Sequence, residues 1–184
     1  MSHLKLALLP LGLLSWFLVD LAQVTAKHVI DVNAYFEDCE NGLPLPAVNI
    51  DELESLEDEE GNSMLNGNMV FNENYSAPVE LKISTERMKQ GSWTNGEVNR
   101  NIDDICSLLK ENIEPWYVMT KLMSDCPFEA GQVESFDHAV LGDLGLDIPA
   151  PFAGDWRLYA EVTSVRNERK VTECVRISFA IKEI

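Results

Sequence analysis

Apolar and polar residues alternate over residues 28–36, where Ile30, Val32, Ala34 and Phe36 share one parity and Asp31, Asn33 and Tyr35 the other. A period of two marks a half-buried strand. The same period returns at 78–84, with Val79, Leu81 and Ile83 on one face and Glu80 and Lys82 on the other. It recurs at 156–165 (Trp156, Leu158, Ala160 and Val162 against Arg157, Tyr159, Glu161 and Thr163) and at 175–181 (Val175, Ile177, Phe179 and Ile181). A short strand is expected at 68–71. Thr94-Asn95-Gly96 reads as the turn of a hairpin between strands at 88–93 and 97–101. Between 102 and 113 the period becomes helical, through Ile102, Ile105, Cys106, Leu109 and Ile113, with Asp103 and Asp104 placed to favour a helix N-terminus. Pro115 interrupts it, and 116–123 predicts a second short helical piece. Residues 61–68, rich in Gly and Asn, predict turns. The acidic run at 51–60 (DELESLEDEE) predicts a solvated loop or a short exposed helix. Short strands with one helical insertion around 101–123 predict an all-β fold: a two-sheet antiparallel sandwich or cup, immunoglobulin-like in outline.

The first 26 residues read differently. A short basic start with His3 and Lys5 precedes an apolar run at 6–14, and Val24-Thr25-Ala26 has the small-x-small form of a cleavage site. Pro10, Gly12 and Asp20 interrupt the segment, which argues for a secretory leader over a membrane anchor. Residues 27–184 are then expected to form one secreted, extracellular domain.

Charge narrows the partners. The chain of 184 residues carries 31 Asp and Glu against 14 Lys and Arg, a formal net charge of −17, which argues against nucleic acid or an anionic membrane surface as an electrostatic partner. In the acidic run the spacing of a calcium loop is missing, notably its central glycine. Downstream of the leader the histidines are His28 and His138, neither beside a cysteine, so neither a zinc site nor any other metal or cofactor is expected. Neither histidine has a nucleophile elbow nearby, and no carboxylate pair stands out, so the chain is read as a non-enzyme. Asn74-Tyr75-Ser76 is an N-glycosylation acceptor, with Asn74 as the modified residue.

Four cysteines, Cys39, Cys106, Cys126 and Cys174, allow three pairings in an oxidising compartment. Cys39 and Cys174 both fall on the outward parity of their strands, so they can bridge each other if the first and last strands are neighbours. Cys106 and Cys126 would then close the helical insertion.

At Cys126 the sequence becomes more specific. Cys126-Pro127-Phe128-Glu129-Ala130-Gly131 resembles the Cys-Pro-x-x-x-Gly segment of the ML (lipid-recognition) superfamily, in its ganglioside-activator-like branch. Leu146-Asp147-Ile148-Pro149, Gly154-Asp155-Trp156-Arg157-Leu158 and Cys174-Val175-Arg176-Ile177 continue the resemblance to the C-terminus. Phe36-Glu37-Asp38-Cys39 and Asp103-Asp104-Ile105-Cys106 match two further elements upstream. With few cysteines and an acidic N-terminal loop, the chain is similar to the insect-expanded small secreted ML-like proteins, which include chemosensory ones. The resemblance implies a β-cup opening between its sheets to hold a lipid or other hydrophobic small molecule, with no catalytic residues. It also implies the pairs Cys39–Cys174 and Cys106–Cys126. Partners would be that ligand and an extracellular receptor or membrane-bound protein.

The residues expected to line such a cavity are Val79, Leu81 and Ile83 with Leu158, Val162, Ile177 and Phe179 on the strands, and Trp116, Tyr117 and Met119 on the flap. Large aromatic and Met side chains suit an adaptable apolar mouth. The competing expectation is that these same stripes pack into a closed core, which would make the domain a secreted protein-interaction module.

Overall fold

A computed structural model describes residues 28–31, 36–57, 63–142 and 148–183. The leader expected at 1–26 and the middle of the strand expected over 28–36 lie outside them. Ten strands are described: β1 (His28–Asp31), β2 (Phe36–Asp38), β3 (Val48–Asn49), β4 (Glu54–Glu57), β5 (Ser63–Phe71), β6 (Glu80–Lys89), β7 (Ser92–Ile102), β8 (Val133–Gly142), β9 (Gly154–Arg166) and β10 (Arg169–Glu183). They form two antiparallel sheets. The larger has the order β1-β10-β9-β6-β7, with β2 also paired to β10; the smaller has the order β3-β5-β4, with β8 also paired to β5. The all-β, two-sheet architecture expected from the period-two pattern is present.

The alternation along β9 sets the inner face. Val162 packs against a core of Leu65, Met69, Phe71, Tyr75, Val79, Leu109, Phe128 and Phe136, so the face bearing Trp156, Leu158, Ala160 and Val162 looks toward the smaller sheet. Antiparallel partners share a face. The register Leu81↔Val162, Ile83↔Ala160, Thr85↔Leu158 and Arg87↔Trp156 therefore puts those β6 residues on it, and Ile177↔Leu158 and Phe179↔Trp156 add those of β10.

Cys174 sits on the opposite face with Arg176 and Ser178, as its parity predicts, and it bonds to Cys39. It is nonetheless only 1% exposed. The chain from Cys39 onward lies beside it, where the Cys174 amide donates to the Pro44 carbonyl at 2.8 Å. Arg176 clasps Glu37 and Glu40 around the bridge. The second bridge is Cys106–Cys126.

Four local expectations are corrected. The β6–β7 hairpin turns at Gln90-Gly91, both at positive φ (53° and 81°), which suits a tight two-residue turn. Asn95-Gly96 instead lies within β7 at a register shift. Gly96 is buried, and a Cβ there would lie 2.2 Å from Thr85 Oγ1 and 2.9 Å from the Trp156 ring, so the glycine serves close packing and not reversal.

Where the Gly/Asn-rich 61–68 stretch is described, from Ser63 on, it is strand. The short strand expected at 68–71 is the end of a longer one, because β4 pairs with Ser63–Asn66 and Gly67 (φ 110°) lets the β4 approach pass. A Cβ on Gly67 would come within 1.8 Å of the Glu52 carbonyl oxygen. Gly67→Ala is accordingly expected to cost more than about 2 kcal/mol, from a backbone clash plus a strained φ; a chemical-denaturation midpoint unchanged by the substitution would refute this.

The acidic run is described over 51–57: residues 51–53 are turn and loop, as expected, but 54–57 are strand β4, an edge of the smaller sheet. Short, charged edge strands resist edge-to-edge association.

The helix expected over 102–113 is absent. Ile102 ends β7, Ile105–Ser107 form a single 3₁₀ turn, and the one α-helical turn among the described residues is α1 (Tyr117–Thr120). Side chains take the carbonyls a helix would use: Thr120 Oγ1 donates to the Leu109 carbonyl and Trp116 Nε1 to that of Leu108. The backbone advances by three-residue turns, with Leu108, Glu111, Glu114 and Tyr117 amides donating to Ile105, Leu108, Glu111 and Glu114 carbonyls. Ile113, placed by the helical period on the buried face, is 86% exposed.

Candidate functional site

The inner face of the larger sheet is closed at both ends. At one end Val162 and Val79 join the packed core. At the other, Trp156 is 2% exposed, stacked with Phe152 and Phe179, and its Nε1 donates to the Phe152 carbonyl at 2.8 Å. Between these ends Leu81, Ile83, Leu158, Ala160 and Ile177 remain partly exposed, as does Phe179, although all lie on the face turned toward the other sheet. Val175 and Thr85 are buried among them. The result is a continuous apolar row that the opposing sheet does not fully cover.

The residues expected to line a cavity thus divide. Leu81, Ile83, Leu158, Ile177 and Phe179 come together along this row. Val79 is 3% exposed in the core, and Val162 and Met119 pack against that core. Trp116 is covered by the Arg100 guanidinium, 5.4 Å from its ring, and Tyr117 begins α1 beside it. The flap is therefore held and not loose. Arg100 makes a bidentate pair with buried Glu114, whose carboxyl it holds below the usual carboxylate range. Lys110 Nζ donates to the Thr120 and Met123 carbonyls, and the Ser124 amide donates to buried Glu134 at 3.0 Å.

Sequence patterning did not single out the ionic node at the Val162 end of the sandwich, where Glu173 stands opposite Val162. Glu173, 3% exposed, accepts from Arg166 through both guanidinium nitrogens (2.9 and 2.6 Å) and from the Tyr75 hydroxyl (2.7 Å). The Ala47 amide donates to the same carboxylate at 3.1 Å and to the Tyr75 oxygen at 3.0 Å. Arg166 lies 4.4 Å over the Tyr75 ring. Burial first, and then the Glu173 carboxylate, push the Tyr75 hydroxyl well above the ordinary tyrosine range. The signal available beforehand was a charged residue, Glu173, on the apolar parity of a strand. A shallow depression of about 390 Å³ lies just outside this node, lined by Glu73, Arg166, Asn167, Arg169 and Val171. It is polar and open, and distinct from the apolar row.

No family model matches the chain, and no curated protein matches it either. The site must be read from its own chemistry. Among the described residues no three His, Cys, Asp or Glu side chains gather as metal ligands, and no helix is long and apolar enough to cross a membrane. Asn74 is exposed in the β5–β6 connection; its Oδ1 accepts from the Ala130 amide at 2.7 Å. His138 lies exposed on β8 with Asp137 2.8 Å from its Nδ1, and His28 is buried on β1, far from it in sequence.

Proposed function

We propose that the chain is a secreted, non-enzymatic binding protein of the ML type, holding a lipid or other hydrophobic ligand between its two sheets for carriage, presentation or chemosensory perception. The observation that carries this reading is the partly exposed apolar row Leu81, Ile83, Leu158, Ile177 and Phe179 on an inward face. Aliphatic and aromatic side chains in the middle of a sandwich are normally covered by the facing sheet. Left partly open, they gain about 25 cal/mol for each Å² that an apolar ligand removes from water. The ordered motifs that resemble the ML superfamily support the same reading. Export is supported by the leader-like start and by two disulfides, which persist in oxidising compartments; there Asn74 would carry a glycan.

The test is ligand uptake by native mass spectrometry, on mature protein made in an oxidising host, stripped of lipid and then offered single-chain hydrophobes of graded length. One-to-one uptake of ligands in a limited range of chain lengths is expected. Absence of uptake at every length would leave a closed sandwich acting as a protein-interaction module.

A further inference from the structure

The inward face of the larger sheet carries four arginines, and they are not equivalent. Arg169, opposite Arg166 in the register, is exposed at the start of β10. Arg166 follows Val162 and Ser164 on the inner parity of β9, Arg100 faces Ile83, and Arg87 faces Trp156. Arg166 is neutralised by Glu173 and Arg100 by Glu114, each through a two-nitrogen fork. Arg87 has no carboxylate in bonding contact among the described residues. One of its terminal nitrogens donates to the Ala153 carbonyl at 2.7 Å, and its guanidinium lies 5.2 Å from the Trp156 ring centroid. Glu97 is near enough to feel its charge but bonds to Lys89 Nζ at 2.9 Å. In a chain with 31 acidic residues and a net charge of −17, an inward, half-buried arginine without a bonded carboxylate is out of keeping with Arg100 and Arg166, and unlike Arg169 it is not simply exposed to water.

From the position of Arg87 we infer that the ligand of the apolar row is a long-chain carboxylate whose head group is received by this arginine. The inference rests on the hydrophobic-ligand reading and specifies its chemical class. Arg87, Thr85, Ile83 and Leu81 follow one another along the inner parity of β6, so the guanidinium stands at one end of the apolar row. Six residues of strand separate Arg87 from Leu81, about 20 Å, the reach of an extended acyl chain of roughly 14–18 carbons. The Trp156 ring and the Ala153 carbonyl orient the guanidinium and still leave most of its five donors unused. A planar carboxylate fits such a fork with two parallel hydrogen bonds, and charge-assisted bonds of this kind are about twice as strong as neutral ones. An uncharged chain of equal length would fill the row but leave Arg87 as it is.

The experiment compares palmitate with 1-hexadecanol, the same chain with an uncharged head, by calorimetric titration of the delipidated protein below the micelle concentration. The wild type is expected to bind palmitate at least about tenfold tighter, the scale of a charge-assisted pair. Arg87→Gln should erase that difference by weakening palmitate alone, and Arg87→Lys should restore part of it. Equal affinity of the wild type for both ligands, or a preference that survives Arg87→Gln in folded protein, overturns the assignment and leaves hydrophobic binding standing. Binding of neither ligand overturns the broader reading as well. Should Arg87→Gln fail to fold by circular dichroism, the wild-type comparison together with Arg87→Lys still decides, because an assignment to Arg87 requires the carboxylate preference in both.

Discussion

Replacing Cys39 and Cys174 with alanine is expected to destabilise the protein by about 5 kcal/mol, from the loop-closure entropy of a bridge spanning 135 residues. A domain of this size has about 5–15 kcal/mol in all, so the variant should be largely unfolded or close to it at physiological temperature. The bridge ties the start of the described chain to the last strand of the larger sheet. Much else depends on that tie. The Glu37 and Glu40 contacts to Arg176, the Pro44 carbonyl that accepts from the Cys174 amide, and the Ala47 amide at the buried node all lie in the segment it anchors. The Cys106–Cys126 bridge closes a separation of only 20, and replacing both cysteines should cost about 3 kcal/mol. Its flap also retains the Arg100–Glu114 pair and the Lys110 contacts. Urea denaturation of both double variants tests the ordering. A larger loss from the 106–126 pair than from the 39–174 pair would show that local packing, and not chain entropy, governs these bridges.

Glu173→Ala is expected to cost about 3–5 kcal/mol, because it leaves Arg166 charged, largely buried and without its counter-ion. The Tyr75 hydroxyl and the Ala47 amide would lose an acceptor in the same step. The pair itself need not stabilise the fold so strongly, since desolvating two charges offsets much of their attraction. Replacing both ions together, Glu173→Leu with Arg166→Met, should therefore recover most of the loss in a denaturation experiment. No recovery in the double variant would mean that the bonds to Tyr75 and Ala47 carry the effect. The same node sets a limit at high pH. The Tyr75 hydroxyl is held above its ordinary value of 10.0, so the folded state keeps its proton more tightly than the unfolded one. That contribution is complete below pH 10 and is lost progressively as pH rises toward the folded value. Phenolate absorbance of Tyr75 should consequently appear together with unfolding.

The parts of the fold legible in the sequence are those where one face of a strand is wet. Along β9 and β10, Arg157, Tyr159, Glu161, Arg176 and Ser178 alternate with apolar partners, and the period alone placed Leu158, Val162, Ile177 and Phe179 on the inward side. The parity of Cys39 and Cys174 was legible for the same reason. Asn95-Gly96 misled because a glycine has two uses. It permits a turn, and it also permits close approach, and only the position of the Thr85 hydroxyl and the Trp156 ring distinguishes them. The helical period at 102–113 misled because a periodic pattern fits a series of three-residue turns nearly as well, once Thr120 and Trp116 supply hydrogen bonds to the carbonyls. The acidic 54–57 segment looked unstructured because an edge strand draws its hydrogen bonds from β5, a neighbour that its own composition does not specify.

By itself the sequence determined the two-sheet, all-β class, the inward stripe and the outward cysteines, all of them consequences of a two-residue period that is local to each strand. Tertiary structure alone decided which members of that stripe are covered. Val79, Val162 and Met119 meet the core of the smaller sheet, while Leu81, Ile83, Leu158 and Ile177 do not. Burial depends on the facing surface, and the alternation along one strand carries no information about what lies opposite. The same holds for the arginines. Arg87, Arg100 and Arg166 are chemically alike in the chain, and only the placement of Glu114 and Glu173 leaves Arg87, of these three, without a bonded carboxylate among the described residues.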